Sequence, residues 1–377
     1  MKRLLSIAIA TKNRERYCIA AIESILNFKD ERLEITVADN SSSKKVKDFI
    51  ESLNSSQVKY IYDDSDISSI DNFNKAIELT TGEYVMLIGD DDSILPNAIE
   101  IADWAKKNDV DSISSENIYT YFWPGSNPVF PQGMLRIPEF SDKKNEIDAK
   151  KELVKLLKNG IVNYMFFKLP KSYHGIVKKE ILCQIKKITG NYYGALSPDI
   201  FSVISISLLV KKHYSTTVPF SIAGVCTSST TSDQIMGKHC GLLQEMPHLK
   251  NRKVSYQWDE NIPKVYSVTT TWGDSGLNAL RAMNEQKYLE YFNVYPLIAQ
   301  TLLMNRKHIL KLVISESNKM RKNQKISFLF FWTNVILASA NLIMEKVLRV
   351  FKQKFSKKNV EVVGVYDIEE ALKIIRK

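Results

Sequence analysis

Tyr84-Val85-Met86-Leu87-Ile88-Gly89-Asp90-Asp91-Asp92 is the stretch on which the fold turns. Five apolar residues without a polar face are too few for a helix and read as a strand covered on both sides. Three carboxylates follow at the strand's carboxyl end. Toward the amino terminus, strand and helix periods alternate. Residues 4–10 read as a first strand, Ile19, Ile22, Ile25 and Leu26 share one helix face, and Ile35, Val37 and Ala38 form a second strand ending at Asp39. Val46, Phe49, Ile50 and Leu53 mark a second helix, and Val58–Tyr62 reads as a third strand. Phe73, Ala76, Ile77 and Thr80 mark a third helix, closed by Gly82 as the residue just past its end. Pro96 opens another helix running to about Lys107. Alternating β and α units predict an α/β fold with a mostly parallel sheet and helices on both faces. Ligands of such sheets sit beyond the carboxyl ends of the strands. One rim therefore gathers Thr11, Asn13 and Arg14, then Asp39 and Asn40, then Asp90, Asp91 and Asp92.

Three successive carboxylates repel one another, so folding them together without a cation is costly. Mn2+ or Mg2+ prefers hard oxygen ligands and bridges readily to phosphates. At this rim it would neutralise a leaving diphosphate. A plainer reading, a solvated acidic turn before the Pro96 helix, would account for the triplet by itself. The buried strand ahead of it and its position on the rim favour the metal.

The rest of the chain separates two charge regimes. Residues 1–120 hold 14 Lys and Arg against 22 Asp and Glu, a net −8, so the remainder carries +18 of the overall +10. The last 77 residues alone carry +10. A uniformly basic nucleic-acid binder would not divide its charge this way, and no nucleic-acid partner is expected. Cys18, Cys183, Cys226 and Cys240 are scattered with no CxxC pair, which argues against a zinc knuckle or a disulfide scaffold and suits a reducing cytoplasm. The basic-apolar start is too short for a signal peptide and lacks a cleavage site, so it reads as the first strand. Residues 117–148, with Tyr119, Tyr121, Phe122 and Trp123 followed by Pro124, Pro128, Pro131 and Pro138, read as a long excursion serving a site. Residues 150–212 return to helical patterning, and residues 213–275 are mixed and polar.

On these motifs the chain resembles the inverting family 2 glycosyltransferases of the GT-A fold. Ala10-Thr11-Lys12-Asn13-Arg14 looks like that family's T-x-N-R element, and Val37-Ala38-Asp39-Asn40-Ser41-Ser42 resembles its D-[DN]-x-S motif. Asn72-Phe73-Asn74-Lys75-Ala76, with Thr81-Gly82-Glu83-Tyr84 after it, is similar to its N-x-x-x-A…G-E-Y stretch, and residues 90–92 match its D-x-D. The four arrive in the family's order over about residues 4–115. The resemblance implies a GT-A domain with a donor-binding half at 1–120 and an acceptor-binding half at 121–280. A basic, mainly helical region at 281–377 would follow. It further implies that Thr11, Asn13, Arg14, Asp39, Asp90 and Asp91 bind the nucleotide-sugar. Asp71 or Asn72 would lie over the base or diphosphate, and Asp92 would hold the metal. Singly, Asp39 as a helix cap, Asn13 as a turn residue or Arg14 as a solvated charge reads equally well.

An inverting transfer needs a carboxylate to deprotonate the acceptor hydroxyl. Ser197-Pro198-Asp199 fits the family's placement of that base at a helix start, and Asp199 is the candidate. Ser197 as N-cap and Pro198 at the first helical position explain the same residues structurally, and the two readings are compatible. His174 is expected near the acceptor or donor sugar, Lys238 near the diphosphate, and His239 as a further metal ligand. Tyr192, Tyr193, Trp123 and the aromatics of residues 164–167 offer sugar-stacking faces, although aromatics are more often core.

Residues 326–344 hold no charged side chain, yet Ser327, Asn334 and Asn341 recur at sevens. Lys319, Arg321, Lys322 and Lys325 precede them, and Lys346, Arg349, Lys352, Lys354, Lys357 and Lys358 follow. An apolar helix with a polar stripe and basic flanks predicts attachment to an anionic membrane surface. A packed or oligomer helix and a true span stand as alternatives. With the membrane reading, the resemblance implies a UDP-sugar transferase on the cytoplasmic face of the plasma membrane, acting on a lipid-linked glycan in O-antigen or capsule assembly. A sugar nucleotidyltransferase is the competing enzyme class, but its glycine-rich N-terminal loop is absent here. A non-catalytic nucleotide-sugar-binding subunit is the third, and the intact Asp90 and Asp92 speak against it.

Overall fold

The computed structural model describes residues 3–126, 129, 131–227, 240–243, 256–355 and 359–376. The chain opens with β1 (Leu5–Thr11), α1 (Glu15–Leu26), β2 (Leu33–Asp39), α2 (Lys45–Leu53), β3 (Val58–Tyr62), α3 (Ser69–Glu78) and β4 (Tyr84–Ile88). β1 lies between β2 and β4, parallel to both, and β2 pairs in parallel with β3. All five residues of β4 are buried: Tyr84, Met86 and Ile88 pack on one face of the sheet, Val85 and Leu87 on the other. That is the side-chain alternation of a strand covered on both sides.

Gly82 does not close α3. The helix ends at Glu78 with Leu79 as its cap, and Gly82 lies beyond it where a Cβ would press on the Ser6 hydroxyl. Its glycine serves a close approach to β1 rather than a left-handed turn.

After β5 (Ser93–Ile94) and α4 (Asn97–Lys107), the supposed excursion proves to be strand-rich: β6 (Ser112–Ser115), β7 (Tyr119–Phe122), β8 (Met134–Ile137) and β9 (Lys144–Ile147). Tyr119 and Tyr121 are buried while Thr120 and Phe122 are half-buried, a two-residue alternation. There follow α5 (Ala149–Lys158), β10 (Gly175–Lys178), α6 (Lys179–Thr189), α7 (Pro198–Leu209), β11 (His213–Thr216) and β12 (Ser221–Val225). β10 inserts antiparallel between β4 and β6, completing an eight-stranded sheet of order β3-β2-β1-β4-β10-β6-β11-β9. The sheet thus continues across residue 120.

The remaining helices are α8 (Val268–Ala282), α9 (Val294–Asn323) and α10 (Phe328–Phe355), the last two packed as a hairpin. β13 (Val360–Val363) pairs with β8, and α11 (Ile368–Ile375), capped by Asp367, packs against α1. A second sheet, β13-β8-β7-β12-β5, carries the chain end back onto the first third. β12 pairs with β5, directly after the acid triplet, and so closes over the rim.

Candidate active site

The parallel register sets Thr11 opposite Asp39 at the strand ends. Thr11 donates its hydroxyl to Asp90 Oδ2 at 2.7 Å. Asp39 Oδ1 accepts the Ser41 N–H at 2.8 Å, and Oδ2 accepts the Tyr60 hydroxyl at 2.8 Å. Burial and the Asp39 charge both raise the Tyr60 phenol. Asn13 sits at a left-handed φ of 56° and accepts the Ser42 N–H and hydroxyl on its Oδ1, which laces the turns after β1 and β2 together. The sequence left Asp71 and Asn72 open as the residue over the donor. Asp71 is exposed and closes a capping box with Ser68, whereas Asn72 is buried and donates to the Thr11 and Ala38 carbonyls at 3.0 and 3.1 Å. Asn72 therefore reaches the strand ends and Asp71 turns outward.

The acid triplet is held by protein donors. Arg14 Nη1 lies 3.1 Å from Asp90 Oδ1, and Nη2 lies 2.7 Å from Asp91 Oδ2 and 2.8 Å from Cys226 Sγ. Burial works against the Arg14 charge, but Asp90 and Asp91 outweigh it and hold the guanidinium protonated. Burial, only partly offset by Arg14, pushes Asp90 up to about 7. Burial and the neighbouring Asp92 charge push Asp91 up to about 6. Asp92 Oδ2 accepts the Gly89 N–H at 2.6 Å and the Tyr173 hydroxyl at 2.9 Å, and Oδ1 accepts the Gly224 N–H at 2.7 Å. His174 Nε2 stands 3.0 Å from Asp92 Oδ2, at ion-pair distance but off the line of a hydrogen bond. Burial would raise Asp92; His174 and the two backbone donors more than offset it, so Asp92 ends below the ordinary carboxylate range.

This arrangement bears on metal binding. Among the described residues no three acidic, histidine or cysteine side chains converge as a ready cation cage. The repulsion expected within the triplet is met instead by Arg14, by His174 and by backbone N–H groups. The donor set is nonetheless hard oxygen, and Asp92 Oδ1 accepts a single hydrogen bond, from the Gly224 N–H. That chemistry suits an ion that brings its remaining ligands with it as phosphate and water.

Asp199 lies in the first turn of α7 behind Pro198. Ser197 holds the N-cap position without a side-chain cap bond, and its N–H donates to Ser275 Oγ at 3.0 Å. The Asp199 carboxyl has no hydrogen-bond partner among the described residues. Burial pushes it up to about 6, against the pull of His174 and with the push of Asp92. Asp199 and the rim thus share one electrostatic field although 107 positions separate Asp199 from Asp92 in the chain.

His174 is a left-handed residue, φ 54°, held by its N–H to the Leu87 carbonyl at 3.0 Å and by Nδ1 3.0 Å from Ser221 Oγ. A non-glycine residue there costs about 1 kcal/mol, and the cost is spent on aiming the ring at Asp92. Lys238 and His239 lie outside the described residues. Trp123, Tyr164, Tyr192 and Tyr193 are core side chains, and Trp123 donates its indole N–H to the Asp91 carbonyl at 2.9 Å. The site residues that sequence reasoning missed are Tyr173, Ser221, Gly224 and Cys226. A Cβ at position 224 would collide with the Asp91 carbonyl, so glycine is required where β12 crosses the triplet. Tyr173 carried a signal in its adjacency to His174; the β12 contacts carried none.

Fold and rim define a GT-A α/β domain with a site beyond the ends of its parallel strands. Its residues 6–160 match the model of glycosyl transferase family 2. A putative colanic acid biosynthesis glycosyl transferase, WcaA of Escherichia coli, is 29% identical over 139 residues, 34% of this chain and 49% of the relative. The GalNAc(5)-diNAcBac-PP-undecaprenol beta-1,3-glucosyltransferase of Campylobacter jejuni is 34% identical over 100 residues, 25% of this chain and 32% of the relative. The chain therefore spans half or less of the length of these curated relatives. The crystal structure of S. aureus TarS 1–349 in complex with UDP-GlcNAc aligns at a TM-score of 0.46 and 12% identity, over 86% of this chain and 93% of that one.

Proposed function

We propose that the chain is an inverting glycosyltransferase that moves a sugar from a UDP-sugar to a lipid-linked glycan in cell-surface polysaccharide assembly. The observation that carries this reading is Asp199: a carboxyl without a partner among the described residues, poised near neutrality and in the field of the Asp92 rim. A general base works best with a pKa near the working pH. Asp199 takes the proton of the acceptor hydroxyl, the freed oxygen attacks the anomeric carbon, and the bond to the diphosphate breaks with its electron pair on UDP. Thr11, Asn13, Asp39, Asn72 and Asp90 line the nucleotide side, and Arg14 keeps Asp90 and Asp91 from repelling the incoming phosphates. Asp92 would hold a Mn2+ or Mg2+ ion, whose contribution when bound is charge neutralisation on the diphosphate. Residues 1–120 then serve the donor and 121–280 the acceptor, and the basic, mainly helical region 281–377 offers membrane attachment through its apolar hairpin helix.

A lipid-linked acceptor fits the C-terminal hairpin. α10 buries Phe331, Val335 and Leu342 against its neighbours and leaves Phe328, Leu329, Ile336, Leu337, Ile343 and Val347 exposed. By length and composition Phe328–Phe351 is sufficient to cross a bilayer. One packed stripe, a bare apolar face and basic flanks favour a helix lying on the cytoplasmic leaflet, each Lys or Arg near an anionic surface adding about 1 kcal/mol. The relatives' names, a putative colanic acid biosynthesis glycosyl transferase and a GalNAc(5)-diNAcBac-PP-undecaprenol beta-1,3-glucosyltransferase, support an acceptor of this kind.

The test is turnover of a panel of radiolabelled UDP-sugars by the full chain with Mn2+ and membrane extract. The expected product is UDP, released faster with extract than without. Release of pyrophosphate would point to a nucleotidyltransferase, and no turnover with any sugar to a binding subunit.

A further inference from the structure

A cavity of about 150 Å3 opens between the end of β6 and the turn after α5, and the mechanism above does not use it. At roughly 10–15 Å3 per water position it has room for about ten waters, the scale of a single sugar ring. Ser114, Ser115, Glu116, Phe166, Lys168 and Lys171 are among its lining residues. Their charges do not balance. Glu116 Oε1 is taken by Lys168 Nζ at 2.7 Å and by the Ser215 hydroxyl at 2.8 Å. Lys171 is half-buried and makes no ion pair or hydrogen bond among the described residues. Burial lowers its ammonium from the ordinary value, with only the more distant Glu116 and Asp199 charges to oppose that. A cation in such surroundings is costly unless an anion meets it.

Two further observations bear on what the cavity faces. The Asp199 charge acts on Lys171, so the cavity's cation lies within electrostatic range of the candidate base. Phe166 is 67% exposed at the cavity and carries the Arg349 guanidinium 4.4 Å over its ring, which joins this wall to α10 and its apolar face. A ligand here would lie within range of the Asp199 charge and beside the exposed Phe166 ring.

We infer that this cavity is the acceptor subsite and takes a sugar bearing an anionic group, a phosphate ester or a carboxylate, paired with Lys171. The inference rests on Asp199 being the base and adds to it the acceptor's chemical class.

The experiment is calorimetric titration of the full chain, first saturated with UDP and Mn2+ so that the donor side is filled, with glucose, glucose 1-phosphate and glucuronic acid. At least one anionic sugar is expected to bind about tenfold more tightly than glucose. A preference for glucose 1-phosphate identifies a phosphate-bearing acceptor, and one for glucuronic acid identifies an acidic sugar. Lys171→Met should erase the preference and Lys171→Arg should keep it, with UDP affinity equal in all three proteins. Equal binding of the three sugars by the unaltered chain, or an anion preference that survives Lys171→Met, overturns the inference. Failure of the initial UDP titration would instead count against the donor reading.

Discussion

Replacing Asp199 by Asn should make the protein more stable and nearly inactive, and both effects can be sized from the structure. Burial raises this carboxyl from an ordinary 3.8 to about 6. A rise of that size corresponds to about 3 kcal/mol of preference for the neutral form in the folded chain. Well below pH 3.8 the group is neutral whether the chain is folded or not, and it costs nothing. As pH rises through 6 the folded protein must ionise it in place and bears the full penalty. Asn carries no charge at any pH, so the variant should gain about 1–3 kcal/mol at pH 8, the penalty less what it costs to bury an amide. At pH 4 the gain should shrink to about 0.5 kcal/mol or less. Transfer should fall by about 10²–10⁴-fold, the usual contribution of a general base, with UDP affinity preserved. Thermal unfolding of both proteins from pH 4 to 8, beside a UDP-release assay, reads each quantity. An Asp199→Asn variant that transfers sugar at the unaltered rate, or that is less stable at pH 8, refutes the reasoning.

Arg14→Met leaves Asp90 and Asp91 buried without their cation; at pH 8 it should cost about 3–5 kcal/mol. Asp90 titrates near 7 and Asp91 near 6, so the loss should shrink toward pH 5 as both take up protons, which denaturant melts at the two pH values will measure. Gly224→Ala drives a methyl into the Asp91 carbonyl and should destabilise the chain by about 1–3 kcal/mol, with weaker UDP binding by calorimetry. Leu329→Glu combined with Ile336→Glu puts two charges on the bare face of α10 and should abolish flotation with anionic vesicles. The unaltered chain should float and should be partly released by raised salt, since screening weakens its basic flanks.

The first four parallel units were legible because their strands are apolar on both faces and their helices repeat at one period. Residues 84–88 could be nothing but a covered strand, and the register of β1 with β2 and β4 then brought Thr11, Asp39 and the acid triplet to one rim. β10 was not legible. Its four residues, Gly175–Lys178, run into α6 without a break, and its insertion between β4 and β6 is a decision of tertiary packing. The short strands β7 and β8 hid behind their prolines and aromatics for the same reason. Within the site, the sequence identified the acids but not what neutralises them. Repulsion in the triplet argued for a cation, and the fold supplies one in Arg14, already adjacent on the rim, before any metal is considered. His174 was noticed as a histidine; that β12 would fix it through Ser221 and close Gly224 over Asp92 depends on a pairing with β5 across more than 120 positions.

The claim on which the rest depends is that this rim binds the diphosphate of a nucleotide-sugar. Crystals of the full chain soaked with UDP and Mn2+ test it most directly. The account predicts the diphosphate and ion at Asp92, with the uridine lying along Thr11, Asp39 and Asn72. Nucleotide found elsewhere, or a rim left vacant at saturating UDP, would contradict it.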